Sequence, residues 1–93
     1  MYIGSLEIAI KIEDAYSLKE KRHIIKSVLE RVKSRFNFSA AEVGEQEIRN
    51  YSVLGFSCVT NEKKHATKML DELERFLEND YRFEILDFRR EIL

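Results

Sequence analysis

The stretch LEIAIKIEDAYSLKEKRHIIKSVL, residues 6–29, changes its hydrophobic period halfway along. Up to Ile12 the pattern alternates. Leu6, Ile8, Ile10 and Ile12 fall on one side and Ser5, Glu7 and Lys11 on the other, which predicts a half-buried strand over residues 2–12. From Leu18 onward the spacing becomes three and four. Leu18, Ile25, Val28, Leu29, Val32 and Phe36 make one stripe of a helix running over about 18–35. Between the two regimes Ser17 is followed three residues later by Glu20, the capping-box spacing, in which the hydroxyl accepts from a free amide of the first turn and the glutamate reaches back. A strand therefore runs into a helix. The helix start is nevertheless basic: Lys19, Lys21 and Arg22 sit where the helix dipole favours acids, at a cost of about 0.3–1 kcal/mol per charge. Helix stability alone does not account for their placement.

Working outward, NFSAAEVG at 37–44 reads as a second strand whose parity shifts. Phe38 and Ala40 share one face and Ala41 and Val43 the other, so a bulge or a two-sided strand is expected. GEQEIRN at 44–50 is a polar hairpin connection. YSVLGFSCVT at 51–60 is a third strand, with Leu54, Phe56 and Cys58 on one side and Val53 and Val59 on the other. Asn61 is the expected N-cap of a second helix over 62–79, striped by Ala66, Met69, Leu70, Leu73, Phe76 and Leu77 and ended by Asn79-Asp80. Tyr81, Phe83 and Ile85 then alternate in a fourth strand, with a parity shift expected around Leu86 and Phe88. The order strand, helix, strand, strand, helix, strand predicts an α+β, ferredoxin-like βαββαβ sandwich: a four-stranded antiparallel sheet with both helices on one face. Right-handed crossovers place the first and third strands in its centre.

A chain of 93 residues has room for a single domain, spanning 1–93. With 44% hydrophobic and 35% charged residues it is globular rather than disordered. A net charge of −1 supplies no global field for nucleic acid, so any cationic surface has to be local. The one cysteine, Cys58, excludes an internal disulfide framework and a C-x-x-C metal pair. No run reaches the roughly 18–20 apolar residues that span a bilayer. The opening MYIGSLEIAI carries Glu7 and no basic region, so no signal peptide is expected and the expected setting is the cytoplasm. No proline and three glycines leave mostly regular elements joined by short turns.

SLKEKR at 17–22 ahead of an Ile/Val-rich helix, together with AAEVGEQE at 40–47, resembles the YlxP-like family of small bacterial proteins, grouped as domain of unknown function 503. The likeness extends over nearly the whole chain. It implies the ferredoxin-like fold and a bacterial cytoplasmic setting. Family genes often sit near those for translation initiation and ribosome maturation, which points to the ribosome or RNA, and no activity is implied. Relatives often carry an aromatic within the hairpin, where this chain reads Ile48-Arg49-Asn50 before Tyr51.

From 17 to 36 there are seven basic residues against two acidic, a net of +5 in one helix. At about 100° per residue, Lys19, Arg22, Lys26 and Lys33 lie within about 60° of one another and form a stripe beside the apolar face. Lys19, Lys21, Arg22, Lys26 and Lys33 are the candidates for phosphate contact, with little sequence choice. The competing reading is a solvated flank whose lysine stems cover the core edge. Base stacking on the sheet, as in RRM domains, needs aromatics on the open face of the central strands. That face reads Ile3, Ser5, Glu7, Ala9, Lys11 and Tyr51, Val53, Gly55, Ser57, Val59, with Tyr51 its single aromatic, so this mode is rejected. Its aliphatic residues make Ile3, Tyr51, Val53 and Val59 the candidates for a protein interface or a homodimer through the open face.

No catalytic site, cofactor or metal is expected. An acyl-phosphate hydrolase needs a phosphate cradle at the first strand–helix turn, and here that turn reads Glu13-Asp14-Ala15-Tyr16-Ser17, acidic and without glycine. Cys58 is a small core hydrophobe, and His23 and His65 are ordinary helix residues near helix starts. Glu42, Glu45 and Glu47 gather around the hairpin, with Glu13 and Asp14 in another loop. Carboxylates alone can hold a hard cation, but the expected role is steering, with an acidic hairpin set against a basic helix. Gly44 would allow the close approach that a ligand site needs. The functional expectation is a non-enzymatic protein on RNA or a ribosomal particle. The alternative is a homo-oligomeric scaffold or regulatory module that binds an acidic protein or small ligand.

Overall fold

A computed structural model describes residues 1–93. The alternating segment forms β1 (Tyr2–Lys11), which turns through a short loop into α1 (Leu18–Arg35). There follow β2 (Ser39–Gly44), β3 (Tyr51–Thr60), α2 (Lys63–Glu78) and β4 (Glu84–Ile92). The strands form one antiparallel sheet in the order β2-β3-β1-β4, with β1 and β3 central as the crossover rule requires. This is the ferredoxin-like α+β sandwich.

β1 and β3 pair along their whole lengths, from Tyr2 opposite Thr60 to Lys11 opposite Tyr51. Directly opposite residues share a face, so Leu6, Ile8 and Ile10 join Leu54, Phe56 and Cys58 on the helix-covered side. There they pack with Ile25, Val28 and Val32 of α1 and with Leu70, Leu73 and Leu77 of α2 in one core. Gly4, opposite Cys58, leaves room for that side chain: a Cβ there would lie 2.9 Å from the Cys58 Sγ, while Leu70 Cδ1 of α2, at 3.5 Å, would be in ordinary contact.

Both parity shifts read from the sequence are register shifts. In β2 the shift lies between Glu42 and Gly44, and the extra residue, Val43, lies over Gly55 on the open face. In β4 it lies between Ile85 and Asp87, which leaves Leu86 over. The second helix starts later than Asn61 would place it. Its N-cap is Glu62, whose carbonyl accepts the first helical bond from Ala66 at 3.1 Å, and the Thr60 hydroxyl instead receives the Glu62 amide at 3.3 Å. The fourth strand begins at Glu84 rather than Tyr81, because residues 80–82 form a turn closed by the Asp80 carboxylate. No helix is long and apolar enough to cross a membrane.

Candidate nucleic-acid interface

α1 is fixed at its start by two side chains. The Ser17 hydroxyl accepts from the Glu20 amide at 3.1 Å, and Glu20 Oε2 accepts from the Tyr16 amide at 3.1 Å, one residue before the position the capping box uses. This sets which face of α1 meets the sheet, and Lys19, Arg22, Lys26 and Lys33 come out on the exposed side. None of the four has an acidic oxygen within 4.0 Å; the paired bases of the molecule are Lys21, Arg31, Arg82 and Arg90. With a helical rise of 1.5 Å per residue, the four cations extend over about 21 Å. Arg22, Lys26 and Lys33 line a groove of ≈ 360 Å³ that also borders Glu42 of β2. Glu30 shares this groove and is the free acid beside them. Chemically the surface is a row of cations with their stems beside Ile25 and Leu29, and it can neutralise a line of phosphates.

Lys21 does not belong to that row. Its side chain is 0% exposed. Its Nζ donates to the Glu45 carbonyl at 2.6 Å and the Ile48 carbonyl at 2.5 Å, and it lies 3.2 Å from Glu42 Oε2. Glu42 also accepts from the Ser52 hydroxyl at 2.5 Å. The ammonium thus closes the β2–β3 connection onto α1, which corrects its assignment as a phosphate contact. Glu45 presents its carbonyl with a positive φ of 57°, and the Ile48 amide donates back to that same oxygen at 3.2 Å. The carboxylates of Glu42, Glu45 and Glu47 do not converge with others into a group of ligands, since Glu42 turns inward to Lys21. Gly44 sits opposite Val53, where a Cβ would meet the valine at 3.2 Å; its smallness serves the sheet.

The apolar residues of the open face do not form one patch. Ile3 and Val59 pair at one end, while Tyr51 and Val53 lie at the other with Ala9 and Val43. Ser5, Ser57, Glu7 and Gly55 separate them. Val59 and Val43 are the most open of the set, at 63% and 55% exposed. Cys58 is buried in the core; that burial pushes its thiol up against the opposing effect of a backbone hydrogen bond at Gly4, so it offers no thiolate. His23 and His65 are both exposed on their helices.

Sequence reasoning missed a second cationic cluster, Arg31, Arg35 and Arg75, where the ends of α1 and α2 come together. The available signal was Arg31 and Arg35 at i and i+4, one helical face apart from the stripe. Nearby, Asp80 holds the turn before β4. It accepts from the Arg82 amide at 3.0 Å, from its Nε at 2.9 Å and from its second terminal nitrogen at 2.6 Å, while the other guanidinium nitrogen of Arg82 donates to Ser27 of α1 at 2.8 Å. Burial alone would raise the Asp80 carboxyl, but the Arg82 hydrogen bonds and the charges of Arg82 and Arg31 outweigh it and hold the group below the usual carboxylate range.

Fold and surface together define a small ferredoxin-like α+β protein with a row of unpaired cations on its first helix. The chain belongs to the family described as Protein of unknown function (DUF503), which it matches over residues 3–90. It is 35% identical over 77 residues to the protein named Uncharacterized protein YlxP from Bacillus subtilis (strain 168), covering 83% of this chain and 84% of that one.

Proposed function

We propose that this protein is a non-enzymatic cytoplasmic factor that docks on RNA or a ribosomal particle through the exposed cations of α1. A single observation carries the reading. Lys19, Arg22, Lys26 and Lys33 stand free of acidic partners in a chain that has 17 acids to 16 bases. Most bases of the molecule have no acidic oxygen within 4.0 Å; what sets these four apart is that they follow one another along one face of one helix, which holds a net positive strip toward solvent. The contact is with the phosphate backbone, so binding tolerates sequence and weakens steeply with salt.

Titration of a labelled RNA, alongside co-sedimentation with ribosomal subunits at low and moderate salt, tests this. The Lys19→Glu/Arg22→Glu/Lys26→Glu variant is expected to lose RNA binding while keeping its fold. Unchanged RNA affinity in that variant would end the proposal. Retention on an acidic protein that RNA fails to displace would transfer the surface to a protein partner.

A further inference from the structure

A second cavity lies away from the stripe. A cleft of ≈ 550 Å³ opens between the last turns of α1 and α2, lined among others by Arg31, Arg35, Arg75, Phe76, Glu72 and Asp80. We propose that this cleft binds a phosphomonoester, carried by a free mononucleotide or by the phosphorylated end of a nucleic-acid strand.

The guanidinium carbons of Arg31 and Arg35 each lie 5.3 Å from the centroid of the Phe76 ring. That ring is itself fixed: it meets Phe36 edge-on, with centroids 5.4 Å apart, and Phe36 meets the buried Phe38 in the same way at 6.2 Å. A guanidinium over an aromatic ring is held by cation–π attraction and keeps its outward N–H groups for contact with an oxyanion. Arg35 and Arg75 have no acidic partner within 4.0 Å. Arg31 has only a long approach to Asp80, 3.8 Å, and Asp80 is already committed to Arg82 at 2.6 Å. The cleft therefore holds three arginines without a close ion pair, and of its two acids Asp80 is bound to Arg82 and Glu72 stands on the wall.

The shape of this charge selects the ligand. The cations share one cleft, two of them over the same Phe76 ring, rather than following a track. A cluster suits one doubly charged group, whereas the lining of the cleft offers no continuing row of cations for a line of phosphates. A phosphomonoester carries about −1.5 to −2 at neutral pH and three acceptor oxygens, which matches three guanidinium donors. The site goes beyond docking through Lys19 to Lys33 and does not depend on it.

Two-dimensional amide NMR of the labelled chain tests the proposal with four probes: adenosine, adenosine monophosphate, a short 5′-phosphorylated oligoribonucleotide and its 5′-hydroxyl twin. The phosphorylated probe of either pair is expected to shift the amides around Arg35, Arg75 and Phe76, and its unphosphorylated twin to leave them unmoved. The Arg35→Glu/Arg75→Glu variant is expected to weaken that binding by about tenfold or more, and the Lys19→Glu/Arg22→Glu/Lys26→Glu variant to retain it. A response to the mononucleotide supports a free-nucleotide site, and a response to the phosphorylated strand alone supports a strand-end site. Absence of any phosphate-dependent shift, or a shift that survives the double charge reversal, overturns the proposal. Loss of RNA binding in the stripe variant with the phosphate response intact separates the two surfaces.

Discussion

Lys21 Nζ meets two backbone carbonyls and one carboxylate oxygen, and the whole side chain is sealed from water. A buried ammonium is stabilised only when it is both hydrogen-bonded and paired, and here two carbonyls accept from it and the Glu42 carboxylate supplies the counter-charge 3.2 Å away. Lys21→Ala leaves Glu42 half-buried without its cation and is expected to cost about 3 kcal/mol in urea unfolding. Lys21→Arg is also destabilising, because a planar fork does not fit a cradle shaped for a compact ammonium. Neither change lowers the RNA affinity of folded protein, which distinguishes Lys21 from Lys19, Arg22 and Lys26. The buried position was legible in principle: 21, 25, 28 and 32 continue the three-and-four spacing of the apolar stripe, and Glu42 shares its inward parity with Ala40. It was obscured because a lysine within a basic run reads as solvent-facing until its partner across the hairpin is known. Asp80 gives a second residue-scale prediction. Its carboxyl is lower in the folded chain than the ordinary value of about 3.9, so its stabilisation is complete above that value and is lost as the pH falls through the folded one. Asp80→Asn is expected to cost about 1–3 kcal/mol at neutral pH. The gap between wild type and variant should stay constant above about pH 5 and close in more acid solution, as measured by denaturation at a series of pH values.

At the scale of elements, the packing of β1 beside β3 under α2 depends on the bare Cα of Gly4. Gly4→Ala places a methyl 2.9 Å from the Cys58 Sγ, and overpacking of this kind costs about 1–3 kcal/mol. Adding Cys58→Ala removes the obstructing atom, so the double variant should recover part of the loss, and the non-additivity read from urea midpoints measures the contact. If Gly4→Ala is neutral, this packing has slack that the distances do not indicate. The six elements were legible because the hydrophobic period changes between two and 3.6 at each strand–helix boundary and a polar run separates β2 from β3, and both bulges were legible as parity shifts within β2 and around Leu86. Less legible were the ends set by side-chain-to-backbone bonds. Thr60 takes the Glu62 amide and so displaces Asn61 from the cap, and Asp80 takes the Arg82 amide and so delays β4. Such bonds depend on which way the chain leaves a strand or helix, and alternating apolar residues carry no signal for that.

For the molecule as a whole, the decisive quantity is how its charges are shared out rather than their sum of −1. Several acids are spent on internal ties: Glu42 on Lys21, Asp80 on Arg82, and Asp71 and Glu74 on Arg90, which joins α2 to β4. Each tie withdraws an acid from the field, and none of these acids lies within 4.0 Å of the exposed row of α1, although Glu42 borders its groove. The row therefore acts as a local strip whose attraction for phosphates is screened beyond about 8–10 Å at physiological ionic strength. RNA bound by this strip should release counterions in proportion to the phosphates it neutralises. Four contacts on a single strand give a slope of about −3 for log affinity against log salt. Removing one cation, as in Arg22→Ala, should flatten the slope to about −2 and weaken binding to unrelated sequences equally. Lys21→Ala should leave the slope unchanged, since that charge is already consumed inside the fold. A slope near zero, or one that Arg22→Ala does not alter, would mean that the strip is solvated surface and that any RNA contact lies elsewhere on the molecule.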